Sequence, residues 1–362
     1  MSLKPQDLFR PEILAATAYH VAQAEGMIKL DAMENPYAWP ETLVDAWLET
    51  LRQAHPNRYP NPQASALKSA LRRYARIPEA AELLLGNGSD EIIQIVLLAL
   101  VGQPGATVLA PEPTFVMYRQ VATWLGVNFI GVPLKQDFAL DLDAMLANIA
   151  RYRPKVVFLA YPNNPTGNLF DQSAILKIIE QTPGLVIVDE AYAPFARASF
   201  VDRLGQFDNL LVMQTLSKLG MAGLRLGFLA GPRIWMEQFD KLRLPYNINV
   251  LTQLSVEFAL THLDVFEQQT ARIRADREAL LSKLASLPQV KVFPSATNFI
   301  LFKVANADLV FERLRQQGVL IKNLNSLGGL LAGCLRVTVG TPAENQAFLS
   351  ALGSALAGVA SK

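Results

Sequence analysis

The chain reads as an α/β protein: a large domain built on a mostly parallel sheet flanked by helices, followed by a smaller α+β domain. Three observations carry this. At 362 residues the chain exceeds the usual size of a single core, and half of it is apolar. Short apolar runs rich in strand formers alternate with longer helix-period segments through the middle of the chain. After about residue 265 the pattern changes to a long charged helix followed by a strand, a helix, a strand and a terminal helix.

In chain order, residues 1–38 have weak periodicity and are expected to pack as an arm or to join the smaller domain. Residues 39–265 are assigned to the large domain. There LLLGNGSDEIIQ (83–94) reads as an apolar run, a tight Gly-Asn-Gly turn and a helix opening at Ser89, Asp90 and Glu91. TVLAP, FIGVPL, VVFLAYP, LVIVDEAY, LLVMQTL and GFLAG read as strands, with EIIQIVLLAL and QSAILKIIEQ among the helices between them. Residues 266–362 form the smaller domain: DVFEQQTARIRADREALLSKLASL as the long helix, strand segments in VKVFPSATNFILFKV and CLRVTVGT, and helices after each.

Composition narrows the function classes. A formal charge of +1 leaves no footprint for nucleic acid or an anionic membrane. No apolar run is long enough for a transmembrane helix and no leader pattern opens the chain, so a cytoplasmic protein acting on small molecules is expected. The lone Cys334 sits in an apolar strand-like run and reads as a buried structural thiol. His20, His55 and His262 lack metal-ligand spacing, so no metal site is expected.

In open α/β sheets ligands bind at the carboxyl ends of the strands, so the polar residues that follow the apolar runs are the candidates for chemistry. Lys218 in TLSKLGMAGLRLGF is a lone ammonium in a run almost empty of charge. Desolvation disfavours the charged form of such a lysine and presents the neutral amine that Schiff-base chemistry requires; an ordinary surface lysine is the alternative. The amides opening the helix at Gly88, Ser89 and Asp90 suit a phosphate, or Ser89 or Asp90 simply caps that helix. Asn164 in YPNNPTGN follows one strand, as a turn residue or as a ligand contact. Asp189 ends another strand, with Tyr192 three residues on. LVIVDE also matches the metal-positioning strand of nucleotide hydrolases, but no G-x-x-x-x-G-K-[ST] loop exists to complete a nucleotide-binding module.

Taken together and in this order, the Gly-rich turn, Asn164, Asp189, Tyr192, Lys218 and Arg225 resemble the signature of the fold-type I pyridoxal-phosphate (PLP) aminotransferases of class I/II. The resemblance implies that Lys218 bonds the cofactor and shuttles the substrate proton, and that Asp189 keeps the pyridine nitrogen protonated. It implies that Tyr192 and Asn164 hydrogen-bond the phenolic oxygen, and that Gly88, Ser89, Asp90, Thr215, Ser217 and Arg225 surround the phosphate. Phe115 matches the aromatic ring stacked on the cofactor, or is ordinary core.

Within that group KLDAMENPY, NRYPNPQ, YPNNPTGN, TLSKLGMAGLRLGF, SATNFILF and CLRVTVGT are similar to the landmarks of the histidinol-phosphate aminotransferase family. That similarity implies transfer of an amino group between L-histidinol phosphate and 2-oxoglutarate by a homodimer in histidine biosynthesis. It implies that Tyr59 reaches the neighbouring subunit's cofactor phosphate, and that Tyr19, Asn164, Lys322 and Arg336 contact substrate. Lys322 stands where many members carry arginine. An aromatic-amino-acid aminotransferase and a phosphothreonine decarboxylase-like enzyme are the alternatives with the same cofactor.

Overall fold

The computed structural model describes residues 3–18 and 22–360. Among them the strands are β1 (Ile28–Lys29), β2 (Ala81–Gly86), β3 (Thr107–Glu112), β4 (Asn128–Pro133), β5 (Val156–Ala160), β6 (Leu185–Asp189), β7 (Leu210–Thr215), β8 (Gly227–Pro232), β9 (Lys291–Val292), β10 (Phe299–Lys303), β11 (Val319–Leu320), β12 (Lys322–Asn323) and β13 (Cys334–Thr338).

Seven strands make one sheet in the order β2-β8-β7-β6-β5-β3-β4. The pairs β3–β4, β3–β5, β5–β6 and β6–β7 are parallel, whereas β8 runs antiparallel to both β7 and β2. Every residue of β5, β6 and β7 is buried, which is why these strands read as continuous apolar runs. Their side chains alternate between two cores. Val157, Leu159, Val186 and Val188 face one, while Val156, Phe158, Leu185 and Ile187 face the other. Burying each such side chain contributes about 1.5–3 kcal/mol, so the strand ends that carry polar residues are held on a stiff frame. β4 and β5 flank β3 on opposite sides, which makes the carboxyl edge beside β3 the topological switch point where ligands bind.

The second sheet, β12-β13-β10-β9, is antiparallel throughout. It shares a core with the helices Ala307–Gln316 and Pro342–Ala360, while Cys334 is fully buried, as expected, in the core that also holds Leu324 and Leu331. β1 pairs with β11, and Arg10 Nη2 donates to Trp124 O on the helix Met117–Leu125. The helix Leu263–Ala285 runs between the two parts, burying Phe266 and Ile273. No helix among the described residues is long and apolar enough to cross a membrane.

Candidate active site

Lys218 lies in the irregular turn Ser217–Met221 directly after β7, and its Nζ donates to Ala32 O at 3.2 Å. The turn depends on Gly220, whose φ of +128° suits glycine and whose added Cβ would lie 2.9 Å from Asn35 Nδ2. Burial first, then the charge of Arg336, pushes the Lys218 ammonium down to about 8. Lys218 is therefore no ordinary surface lysine.

Asp189 ends β6. Its Oδ2 accepts from Tyr118 Oη at 2.6 Å and its Oδ1 from Ala191 N at 3.1 Å, while burial raises its carboxyl to about 6. Tyr118 is itself fully buried, stacked on Phe158 with ring centres 4.5 Å apart. Tyr192 is buried edge-on to Phe299, 5.2 Å between ring centres. Asn164, after β5, accepts through Oδ1 from Arg336 Nη1, and Arg336 Nη2 donates to Asp31 O at 3.0 Å.

The start of the helix Gly88–Leu98 meets the Lys218 turn. Asn87 occupies the cap position without a side-chain capping bond, and Glu91 Oε2 accepts from Asn87 N at 2.6 Å; neither Ser89 nor Asp90 is the cap. The first amides of a helix have no partner within it, so they remain available to an anion. Gly227 at the start of β8 allows this approach: an added Cβ would lie 2.7 Å from Gly88 C and Ser89 N. Gly88, at φ +77°, leaves room for Arg225, whose Nη2 would stand 2.8 Å from an added Cβ. Arg225 Nη1 donates to Ser217 Oγ at 3.4 Å, Arg225 Nη2 lies 3.4 Å from Asp90 Oδ2, and Thr215 Oγ1 bonds Ser217 Oγ at 2.9 Å. The result is a ring of donors with one guanidinium.

These groups open on one cavity of about 390 Å³. Ser89, Asp90, Phe115, Asn164, Asp189, Tyr192, Thr215, Ser217, Lys218 and Arg225 all line it. Phe115 does so while also packing on the core edge-on to Tyr118. Arg336 reaches it through Asn164. Lys322 sits beside Arg336 as its partner in the β12–β13 register. Tyr59 is not brought to the cavity within this chain: it is 80% exposed and stacks on Tyr246 at 4.4 Å. Tyr19 lies outside the described residues.

Sequence reasoning missed several participants. Ala32, Met33 and Glu34 line the cavity from the N-terminal segment, and Ala222 and Gly223 from beyond Lys218. Tyr118, which orients Asp189, follows Phe115 by three residues in PEPTFVMY, and nothing in that stretch signals its bond to Asp189. Glu190 is fully buried behind Asp189, accepting from Ser199 Oγ, Phe200 N and Gln214 Nε2; burial raises its carboxyl to about 7. Among the described residues no group of three or more His, Cys, Asp or Glu could hold a metal ion.

A lysine with depressed proton affinity, a buried carboxylate lining the same cavity and a helix start beside a guanidinium are the parts that a PLP site requires. The comparisons agree. The family model for aminotransferase class I and II matches residues 25–352. Histidinol-phosphate aminotransferase 2 of Nitrosococcus oceani is 57% identical over 345 residues, 95% of this chain and 96% of that protein. Histidinol-phosphate aminotransferase 1 of Ralstonia nicotianae is 51% identical, covering 96% of this chain and 94% of its own. The crystal structure of histidinol-phosphate aminotransferase from Sinorhizobium meliloti in complex with pyridoxal-5'-phosphate shares the fold with a TM-score of 0.86 at 23% identity, over 97% of this chain and 98% of that one. The chain belongs to the aminotransferase class I and II family, as a PLP-dependent transaminase whose relatives include the histidinol-phosphate aminotransferases.

Proposed function

We propose that the protein transfers the amino group of L-histidinol phosphate to 2-oxoglutarate, giving imidazole-acetol phosphate and L-glutamate, with PLP as cofactor. The observation that carries the reading is that Lys218 and Asp189 line one cavity together with Ser89, Thr215, Ser217 and Arg225, in a chain 57% identical to a histidinol-phosphate aminotransferase.

The donor set fits PLP group by group. Lys218 would bond the aldehyde carbon and Asp189 would pair with the ring nitrogen. Tyr192 and Asn164 would donate to the phenolic oxygen, and Phe115 would cover the ring face. The backbone amides of Gly88, Ser89 and Asp90 would meet the phosphate, with Thr215, Ser217 and Arg225 around it. When bound, the cofactor supplies an electron sink for the charge left at the substrate carbon.

The chain's own residues do the rest. With its ammonium pushed down to about 8 from the usual 10.5, Lys218 holds roughly two orders of magnitude more neutral amine at pH 7 than an ordinary lysine. Its Nζ can therefore accept the proton of the amine-bearing carbon and return it. Asp189 is held by Tyr118 Oη and Ala191 N, so its carboxylate is fixed in place and would keep a proton on the ring nitrogen of the bound cofactor. Arg336 gives the planar fork that a phosphate or carboxylate binds, with Lys322 adding charge and Tyr19 a hydroxyl. Both halves of the reaction bring an anion to this end of the cavity.

The same reading makes the protein a cytoplasmic homodimer in which the exposed Tyr59 serves the partner's cofactor phosphate. It divides the chain into an N-terminal arm to residue 38, a large domain to 265 and a small domain to 362. The test is kcat/KM with 2-oxoglutarate for L-histidinol phosphate beside phenylalanine, tyrosine and phosphothreonine. Preference for L-histidinol phosphate is expected; preference for an aromatic amino acid, or carbon dioxide release from phosphothreonine, would reject this donor while leaving the cofactor chemistry standing.

A further inference from the structure

A second cavity of about 400 Å³ lies away from the active site, lined by residues of the short helix Ala193–Ala196, the long helix Leu263–Ala285 and the Ser295–Ala296 turn. Its charged lining is Arg197, Arg274, Arg277 and Glu278. Three guanidiniums thus face a single carboxylate, and two positive charges remain without a counter-charge at neutral pH.

The three arginines differ in what they already bind. Arg277 is satisfied: its Nε and Nη2 donate to Glu278 Oε1 at 3.0 and 2.8 Å, and its Nη1 donates to Thr297 O at 2.9 Å. Arg274 donates through Nη1 to Pro194 O at 2.8 Å, but its Nε is buried and bonds nothing among the described residues. Arg197 is exposed and makes no side-chain hydrogen bond or ion pair among them. Burial, followed by the charges of Arg197 and Arg277, lowers the proton affinity of Arg274. Arg274 carries a buried donor without an acceptor beside two like charges, and an anion in the cavity supplies the counter-charge that the cluster lacks.

We propose that this cavity binds a dianionic phosphate group, free or carried on a small monoester, held between Arg197 and Arg274. The planar guanidinium fork matches phosphate oxygens, and a dianion balances the two surplus charges where one carboxylate would leave half of the imbalance. The cavity lies at a junction of segments that flank the active site. Arg274 holds Pro194, two residues past Tyr192, and Ala296 N donates to Gly167 O at 2.7 Å in the loop that follows Asn164. A ligand that ties Arg197 to Arg274 therefore joins the short helix after Tyr192 to the long helix, and stabilises the folded protein by mass action.

The test uses the PLP-loaded protein, so that the cofactor cradle is filled, titrated calorimetrically with inorganic phosphate and separately with glycerol 3-phosphate. Wild type is compared with Arg197→Ala, Arg274→Ala and Arg336→Ala, the last removing phosphate binding at the substrate end of the active site. Expected is a phosphate site that survives in Arg336→Ala and weakens at least tenfold in both Arg197→Ala and Arg274→Ala, with transamination unchanged in Arg197→Ala. Arg197 is on the surface, so its substitution keeps the test independent of folding. Equal affinity for the two probes assigns recognition to the phosphate alone, and tighter binding of the ester assigns it also to the carbon chain. Binding that disappears in Arg336→Ala, or that is unaffected by both Arg197→Ala and Arg274→Ala, overturns the site, whatever the donor preference of the enzyme.

Discussion

Substituting Gly227 by alanine places a methyl group 2.7 Å from both Gly88 C and Ser89 N, a separation that neither backbone can tolerate. β8 is fixed by its ladders to β2 and β7, so the helix start has to move instead. Overpacking of this kind costs about 1–3 kcal/mol in stability. The displaced amides are those assigned to the cofactor phosphate, and losing one charge-assisted hydrogen bond of roughly 1.5–3 kcal/mol weakens binding by about 10- to 100-fold. The assay is equilibrium dialysis of PLP against the folded variant, read beside its urea midpoint. Gly353→Ala is the control: it lies in a helix with nothing within 4 Å of an added Cβ and should leave PLP affinity unchanged. A Gly227→Ala protein that loses stability yet binds PLP as tightly as wild type would refute the placement of the phosphate at the Gly88 helix start.

Asp189→Asn should fold and retain some PLP but lose turnover by roughly a thousandfold or more, because a neutral amide does not hold the ring nitrogen protonated; near-native kcat would make Asp189 structural. Lys218→Met should abolish turnover and yet stabilise the unloaded protein at pH 7. A fall from 10.5 to about 8 corresponds to about 3 kcal/mol of charge burial that methionine avoids, and an unchanged or lower urea midpoint would contradict it. In the unloaded protein the folded state holds the Asp189 proton up to about pH 6 against the usual 3.8. Its contribution is therefore complete below about pH 4 and lost as pH rises through 6, so wild type should lose stability relative to Asp189→Asn across that window, and a widening advantage for wild type would reverse the sign. Mixed dimers of Lys218→Ala and Tyr59→Phe chains contain one site with neither lesion if Tyr59 acts across the interface. Their activity should exceed that of the Tyr59→Phe parent, and no gain with exchange confirmed would return Tyr59 to its own chain.

The strands beneath the site were legible because β5, β6 and β7 are buried on both faces, so their apolar runs stand out without alternation. The helix in QSAILKIIEQ matches Gln172–Gln181 to the residue, since Asp171 caps it with bonds to Ser173 N and Ala174 N. The antiparallel direction of β8 was not legible. It follows from the tight turns over residues 217–224, which return the chain beside β7 without a crossover helix. Site residues at strand ends could be read because a strand positions its next polar residue predictably. Glu34 and Tyr118 could not, because their places depend on packing across 184 and 71 residues respectively, through Asn35 bonding Leu219 and Tyr118 bonding Asp189. No local pattern encodes such distances.

The most direct test of the central claim is to load the purified protein with PLP, reduce it with borohydride and map the modified peptide by mass spectrometry. A single pyridoxyl group on Lys218, absent from Lys218→Ala, is the expected result. A label on another lysine, or none on protein that transaminates, would contradict the assignment of Lys218 and the arrangement built around it.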